Sequence, residues 1–193
     1  MTKAFNSILE KVQACTLCAA KLDHDVRPVL QVNPQARILI AGQAPGSRVH
    51  MTGIPFDDPS GDRLRDWMGI DNKTFYDAAK IAILPMGFCY PGKGNSGDLP
   101  PIPVCAETWR ERLLAVMPDI ALTLVIGQYA QAWHLGHRER NLTETVRVWA
   151  SYGEHIMPLP HPSPRNNIWL KKKAWFERDA LPILKERVNQ VLA

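Results

Sequence analysis

The chain has 193 residues, 46% of them hydrophobic and 22% charged, with a formal net charge of +4. This is the composition of one globular domain, residues 1–193, long enough to bury a core of its own, and it excludes wholesale disorder. No apolar run approaches the roughly 18 residues of a membrane span, and the opening Met1–Asn6 lacks the apolar stretch of a signal peptide, so the expectation is a cytoplasmic monomer away from membranes.

From the amino end, Phe5, Ile8, Leu9, Val12 and Cys15 recur at spacings of 3 and 4, which predicts a helix within 2–20. Residues 37–42 form a short apolar run closed by Gly42, read as a buried strand, and a Gly- and Pro-rich loop follows over 43–59. Ser60 is the expected cap of a helix over 62–68, with Gly69 ending it. A second strand is predicted at 81–85 and a second long loop at 86–103. A helix carrying Leu113 to Met117 precedes a third strand at 120–126, and Gly127 opens the next helix. A helix capped by Thr143 is expected over 142–150, a proline-weakened fourth strand over 155–160, and an amphipathic closing helix over 174–192.

Short apolar strands alternating with helices predict a three-layer α/β/α sandwich around a four-stranded, mostly parallel sheet. Ligands bind such sheets beyond the carboxyl ends of the strands, which selects residues 43–46, 85–89, 127–128 and 161–166.

The segments at that edge carry distinctive chemistry. Gly42-Gln43-Ala44-Pro45-Gly46 is a tight turn whose N–H groups can face a carbonyl or an anion. Gly53-Ile54-Pro55-Phe56 holds an aromatic ring beside a proline, either as a core plug or as a stacking platform. In the same loop His50 is close enough in sequence to reach a pocket, and Asp57 and Asp58 are the nearest carboxylates for activating water. His161 stands between two prolines in His161-Pro162-Ser163-Pro164-Arg165-Asn166, a rigidly aimed donor, acid or base. Ser163 and Arg165 suit a phosphate, and Lys171, Lys172 and Lys173 beside Trp169 and Trp175 suit a nucleic-acid backbone.

Cys15 and Cys18 form a C-x2-C pair, and Cys89 and Cys105 lie in a proline-rich region further on. Two such pairs fit tetrahedral thiolate ligation of an iron–sulfur cluster or of zinc, and a single C-x2-C favours the cluster over a zinc ribbon.

Taken in order, Cys15/Cys18, Gly42-Gln43-Ala44-Pro45-Gly46, Gly53-Ile54-Pro55-Phe56, Cys89/Cys105 and His161-Pro162-Ser163 resemble the family 4, iron–sulfur type of the uracil-DNA glycosylase superfamily, over most of the chain. The resemblance implies a DNA repair enzyme that everts uracil or a related deaminated base and hydrolyses its N-glycosidic bond. The implied catalytic residues are His161, donating to the base carbonyl, and the main chain of Gln43 and Ala44, holding the base and a water. Phe56 would stack on the base in a pocket with Gly42, Gly46, Asp58 and Pro85. Ser163, Arg165, Asn166, Lys171 and Lys172 would face the DNA, and the four cysteines would hold a structural [4Fe–4S] cluster. Three positions depart from the pattern: Gln43 replaces the usual Glu, Ala44 stands where another branch has Asp, and Pro85 takes a position often filled by Asn. The alternative is a weak or inactive module of the same fold and cluster that only binds nucleic acid or a base.

Overall fold

The computed structural model describes residues 2–95 and 97–193. In chain order the helices are α1 (Lys3–Gln13), α2 (Ser47–Thr52), α3 (Pro59–Met68), α4 (Asn72–Phe75), α5 (Pro103–Leu114), α6 (Gly127–His134), α7 (Leu142–Arg147), α8 (Asn167–Lys172) and α9 (Leu181–Leu192). The strands are β1 (Ile38–Ala41), β2 (Ile81–Ile83), β3 (Lys93–Gly94), β4 (Gly97–Asp98), β5 (Leu122–Ile126) and β6 (Ile156–Leu159).

The expected four-stranded sheet is present, in the order β2-β1-β5-β6 with every neighbour parallel. Side chains alternate across it as the pleat requires. Ile38, Ile40, Ile81, Ile83, Leu122, Leu124, Ile126, Met157 and Leu159 face one side, against Leu64, Trp67 and Met68 of α3 and Leu184 and Val188 of α9. Leu39 and Ala82 face the other, against Ile8 and Val12 of α1 and Trp109 and Leu113 of α5. Both faces are covered, which is why each strand reads as an unbroken apolar run. β6 is an edge strand, so Pro158 removes no inner ladder bond, and the proline that weakened the prediction is tolerated.

Several expectations shift. α1 stops at Gln13, so Cys15 and Cys18 lie in the turns after it rather than on a helical stripe. The 43–59 loop contains α2, closed by Gly53 in the left-handed region (φ 74°), where Arg27 donates to the helix's last carbonyls, His50 O at 2.9 Å and Met51 O at 2.7 Å. α3 is capped by Asp58, which accepts from Gly61 N, and begins at Pro59; Ser60 is inside it. Asn141, not Thr143, caps α7, and Thr143 accepts from Trp169 Nε1 at 2.8 Å instead. α7 stops at Arg147 and a 3₁₀ turn follows over Trp149–Tyr152. The closing helix expected over 174–192 divides into a π turn over Phe176–Ala180 and α9, and the short α8 precedes it.

The 86–103 loop holds the small antiparallel pair β3–β4, invisible to periodicity because each strand is two residues long. Helix α5 begins at Pro103 and so carries Cys105 in its first turn.

Candidate active site

Four parallel strands deliver their carboxyl ends to one edge, and a cavity of about 510 Å³ opens there. Its walls come from the turn after β1 (Gly42, Gln43, Ala44, Gly46), the platform loop (Pro55, Phe56, Asp58), the end of β2 (Pro85) and the segment after β6 (His161, Ser163, Arg165, Asn166). Every expected catalytic and base-binding residue is therefore brought together. Gly127 and Gln128 are not, because α6 starts directly at the end of β5 and closes it. Lys171 and Lys172 do not line the cavity; they are exposed on α8, beyond the mouth that Arg165 and Asn166 border. His50 does not line it either: it packs against His24 (ring centroids 4.5 Å apart) and Tyr90 (6.0 Å).

The turn after β1 is locked from below. Gly42 O accepts from Met86 N at 2.9 Å and Gln43 O from Gly87 N at 3.0 Å. The segment that locks it is held in turn by Arg110 of α5, fully buried, whose guanidinium donates to Leu84 O at 2.9 Å and Pro85 O at 3.0 Å. Arg110 also donates to His134 Nε2, so His134 is a neutral acceptor; burial, then the neighbouring Arg110 charge, hold it down to about 3. A buried charge with its donors satisfied is tolerated, and here it organises the cavity floor.

Among the described residues Phe56 is the non-glycine residue with a left-handed backbone, at φ 55°. An aromatic residue adopts that conformation only where its surroundings impose it. Tyr76 OH donates to Pro55 O at 3.1 Å, and Arg65, paired with Asp62 at 2.6 Å, donates to Tyr76 OH. The ring packs edge-on against Phe75, 6.1 Å between centroids, and its tip lies 3.8 Å from the position a Cβ on Gly42 would take. The platform thus sits over the turn, in contact with the core on one side and the cavity on the other.

The imidazole of His161 is fixed by its own motif. Ser163 N–H donates to His161 Nδ1 at 3.2 Å, so that nitrogen is an acceptor and the ring proton of the neutral form sits on Nε2. Burial holds His161 below the ordinary histidine range, outweighing the upward pull of Asp58 and Asp98. Asn166 Nδ2 donates to His161 O at 2.7 Å, and Arg63 of α3 donates to Pro162 O and Ser163 O at 3.2 and 3.1 Å. The result is a neutral, rigidly mounted N–H donor. The Ser163 hydroxyl accepts from Arg165 N at 3.2 Å.

Sequence reading missed Arg63, Tyr76 and Arg110, which bond to backbone carbonyls far away in the chain. It also missed Asp98, which reaches the cavity from β4. The one signal for Asp98 was the Gly94-Asn95 and Gly97 turn composition. Asp57 does not line the cavity, and Asp58 does so while capping α3 through Oδ1.

Cys15, Cys18, Cys89 and Cys105 all face a second, small cavity, with Leu17, Val26, Pro28, Phe88 and Ile102 around them. All four are free thiols. Burial pushes Cys105 up to about 12, and the charges of Cys89, Cys18 and Cys15 act in the same direction. Phe88 N–H donates to Cys105 Sγ and Trp109 Nε1–H to Cys15 Sγ, both at 3.3 Å. Among the described residues no group of three or more His, Cys, Asp or Glu side chains closes on the position of a single metal ion.

A parallel sheet covered on both faces thus carries a cleft at its carboxyl edge, lined by an aromatic ring and a neutral imidazole donor, the place where such sheets bind ligands. The model of the uracil DNA glycosylase superfamily matches residues 30–185, and the chain belongs to that superfamily. Membership supports DNA glycosylase chemistry in general and DNA as the substrate that is bound. No helix of the described residues is long and apolar enough to cross a membrane.

Proposed function

We propose that the protein is a monofunctional glycosylase of the iron–sulfur, family 4-like branch. It takes uracil or a related deaminated base everted from DNA and hydrolyses its N-glycosidic bond, leaving an abasic site. The single observation carrying this reading is the Ser163–His161 hydrogen bond. It leaves Nε2–H of a neutral imidazole as the donor in a cavity shared with Phe56 and the Gly42–Gly46 turn.

A base inside the stack is beyond reach of any cleft, so the nucleotide must rotate out. Phe56 stacks on the planar ring, and the turn after β1 holds its edge. As the bond from C1′ to the base nitrogen lengthens, its electron pair moves onto the base and its carbonyl oxygen becomes an oxyanion. His161 Nε2–H stabilises that charge without giving up its proton, and removing one such donor typically slows chemistry about 10²–10³-fold. Water adds to the oxocarbenium-like sugar. Ser163 and Arg165 face the phosphates bordering the everted nucleotide, and Lys171 and Lys172 extend the basic surface along the duplex.

The four thiols facing one cavity, with N–H donors aimed at two of the sulfurs, fit a [4Fe–4S] cluster. Each cysteine ligand of such a cluster binds a different iron, so the site asks for four thiolates around one cavity, which these four cysteines can supply. When bound, the cluster supplies a structural clip joining the turns after α1, the Phe88–Cys89 segment and the start of α5. None of the proposed chemistry passes through it.

The test is base release from oligonucleotides carrying uracil, hypoxanthine, xanthine or oxidised pyrimidines, using protein purified without oxygen. Uracil release lost in His161→Ala while DNA binding persists is the expected result. Binding without release from any of these substrates by the wild type would leave the non-catalytic binding module in its place.

A further inference from the structure

The turn after β1, Gly42-Gln43-Ala44-Pro45-Gly46, carries no carboxylate. The cavity nevertheless contains one suited to water, delivered by a different element. β3 and β4 pair Lys93 with Asp98 and Gly94 with Gly97, and Asp98 of the pair becomes part of the cavity wall. Leu99 N–H donates to Gly92 O at 2.9 Å, closing the base of the hairpin. Gln43 Nε2 donates to Leu99 O at 3.2 Å, tying the residue after Asp98 to the turn that faces the base. Oδ2 of Asp98 lies 3.6 Å from the position a Cβ on Gly46 would take, so the carboxylate rests against the far end of the same turn.

Two carboxylates line the cavity among the described residues, Asp58 and Asp98, and they are not equivalent. Asp58 Oδ1 accepts from Gly61 N at 2.9 Å and is committed to the cap of α3. Among the described residues the Asp98 side chain takes one long hydrogen bond, 3.5 Å, from Tyr90 OH, and it is exposed where it lines the cavity. The Asp98 charge reaches His161, as the upward pull on that imidazole records. The ionisable groups around Asp98 among the described residues are Lys93, its partner across the β3–β4 pair, Tyr90 on its own segment, His161 after β6, Asp58 before α3, Arg48 on α2, and Arg165, whose Nη1 lies 3.0 Å from where a Cβ on Gly97 would be.

We infer that Asp98 is the residue that orients and deprotonates the attacking water, and that Gln43 positions it by holding Leu99. This rests on the glycosylase reading above. In the step, the water oxygen forms a bond to C1′ of the deoxyribose and one water proton passes to the Asp98 carboxylate. The C1′–nitrogen bond breaks with its electron pair leaving on the base. The base anion, held by His161, later takes a proton from solvent, and Asp98 returns its proton to solvent. The carboxylate missing from the turn is thereby supplied by the hairpin, and the glutamine found there is the tether.

The experiment is single-turnover cleavage of a uracil-containing duplex by wild type, Asp98→Asn, Asp98→Glu and Gln43→Ala. Binding to an uncleavable abasic-analogue duplex is measured alongside. A general base contributes about 10²–10⁴-fold, so Asp98→Asn should lose at least about 100-fold in rate with binding within about threefold, and the acid limb of its pH–rate profile should vanish. Asp98→Glu should recover part of the rate and the acid limb, and Gln43→Ala should lower the rate less than Asp98→Asn does. An Asp98→Asn enzyme within about threefold of wild type, or one losing rate and binding together, overturns the inference. If His161→Ala abolishes release while Asp98→Asn does not, the glycosylase reading stands and the role of Asp98 falls. A wild type that releases no base from any substrate removes both.

Discussion

Gly61, in the first turn of α3, lies so close to Phe56 that a Cβ on it would sit 1.8 Å from the Phe56 carbonyl oxygen. The hydrogen atom of glycine is what lets the left-handed Phe56 fold back over the start of its own helix. Gly61→Ala must displace the Phe56 backbone, because carbonyl oxygen cannot yield as a flexible side chain does. The expected outcome is weaker substrate capture, read as KM rising more than kcat falls, with Tm reduced by several degrees. Gly136→Ala, where nothing lies within 4 Å of the added methyl, should leave both unchanged.

The buried Arg110–His134 pair makes the fold sensitive to acid. His134 is held down to about 3 against an ordinary value of 6.5, so below pH 6.5 the unfolded chain takes up a proton that the folded chain refuses. Its neutral state therefore supports the fold fully above pH 6.5, and that support is lost as pH falls toward 3, by at most about 1.4 kcal/mol per pH unit. His161, also held low, acts with the same sign. Urea midpoints should fall steadily between pH 7 and pH 4.5. His134→Gln, whose carbonyl can still accept from Arg110, should have a shallower dependence.

Loss of one thiol should distinguish a cluster from an inert set of buried cysteines. Anaerobically prepared wild type is expected to be brown and to contain iron. Cys105→Ser should lose the visible absorbance, most of the iron and thermal stability together, because three turns far apart in sequence then lose their shared anchor. A colourless wild type of unchanged stability after iron chelation would contradict the cluster.

The basic residues beyond the cavity mouth should act on DNA without regard to the base. Arg165→Ala, Lys171→Ala and Lys172→Ala should each weaken binding to uracil-containing and undamaged duplex alike. Removing the cation from one phosphate should reduce the slope of log binding constant against log salt by about 0.9. An unchanged slope for the two lysines would mean that α8 does not touch the backbone.

Much of the architecture could be read in the chain because each buried strand repeats one instruction. Residues 38–41 and 122–126 are apolar almost throughout, which only a sheet covered on both faces accommodates. The cap positions were less legible: Ser60 competes with Asp58, and Thr143 with Asn141, for the same role, and all four side chains have suitable chemistry. Local hydrogen-bond geometry decides between them, as Asp58 to Gly61 N and Asn141 to Glu144 N show. The β3–β4 hairpin was illegible because two-residue strands have no period to detect.

The site divides along the same line. The sequence alone determined the turn after β1, the Phe56 loop and the His161-Pro162-Ser163 motif, since glycine, proline and histidine limit what the local backbone and side chain can do. Tertiary structure alone decided what braces the backbone of the His161 motif, which carboxylate reaches the cavity from the β3–β4 pair, and what holds the cavity floor. Those outcomes depend on partners from Arg63, Gln43 and Arg110, whose bonds cross 26 to 100 residues of chain. Bonds of that range leave no periodic trace in the sequence, because they are made only once the sheet has brought its strand ends together.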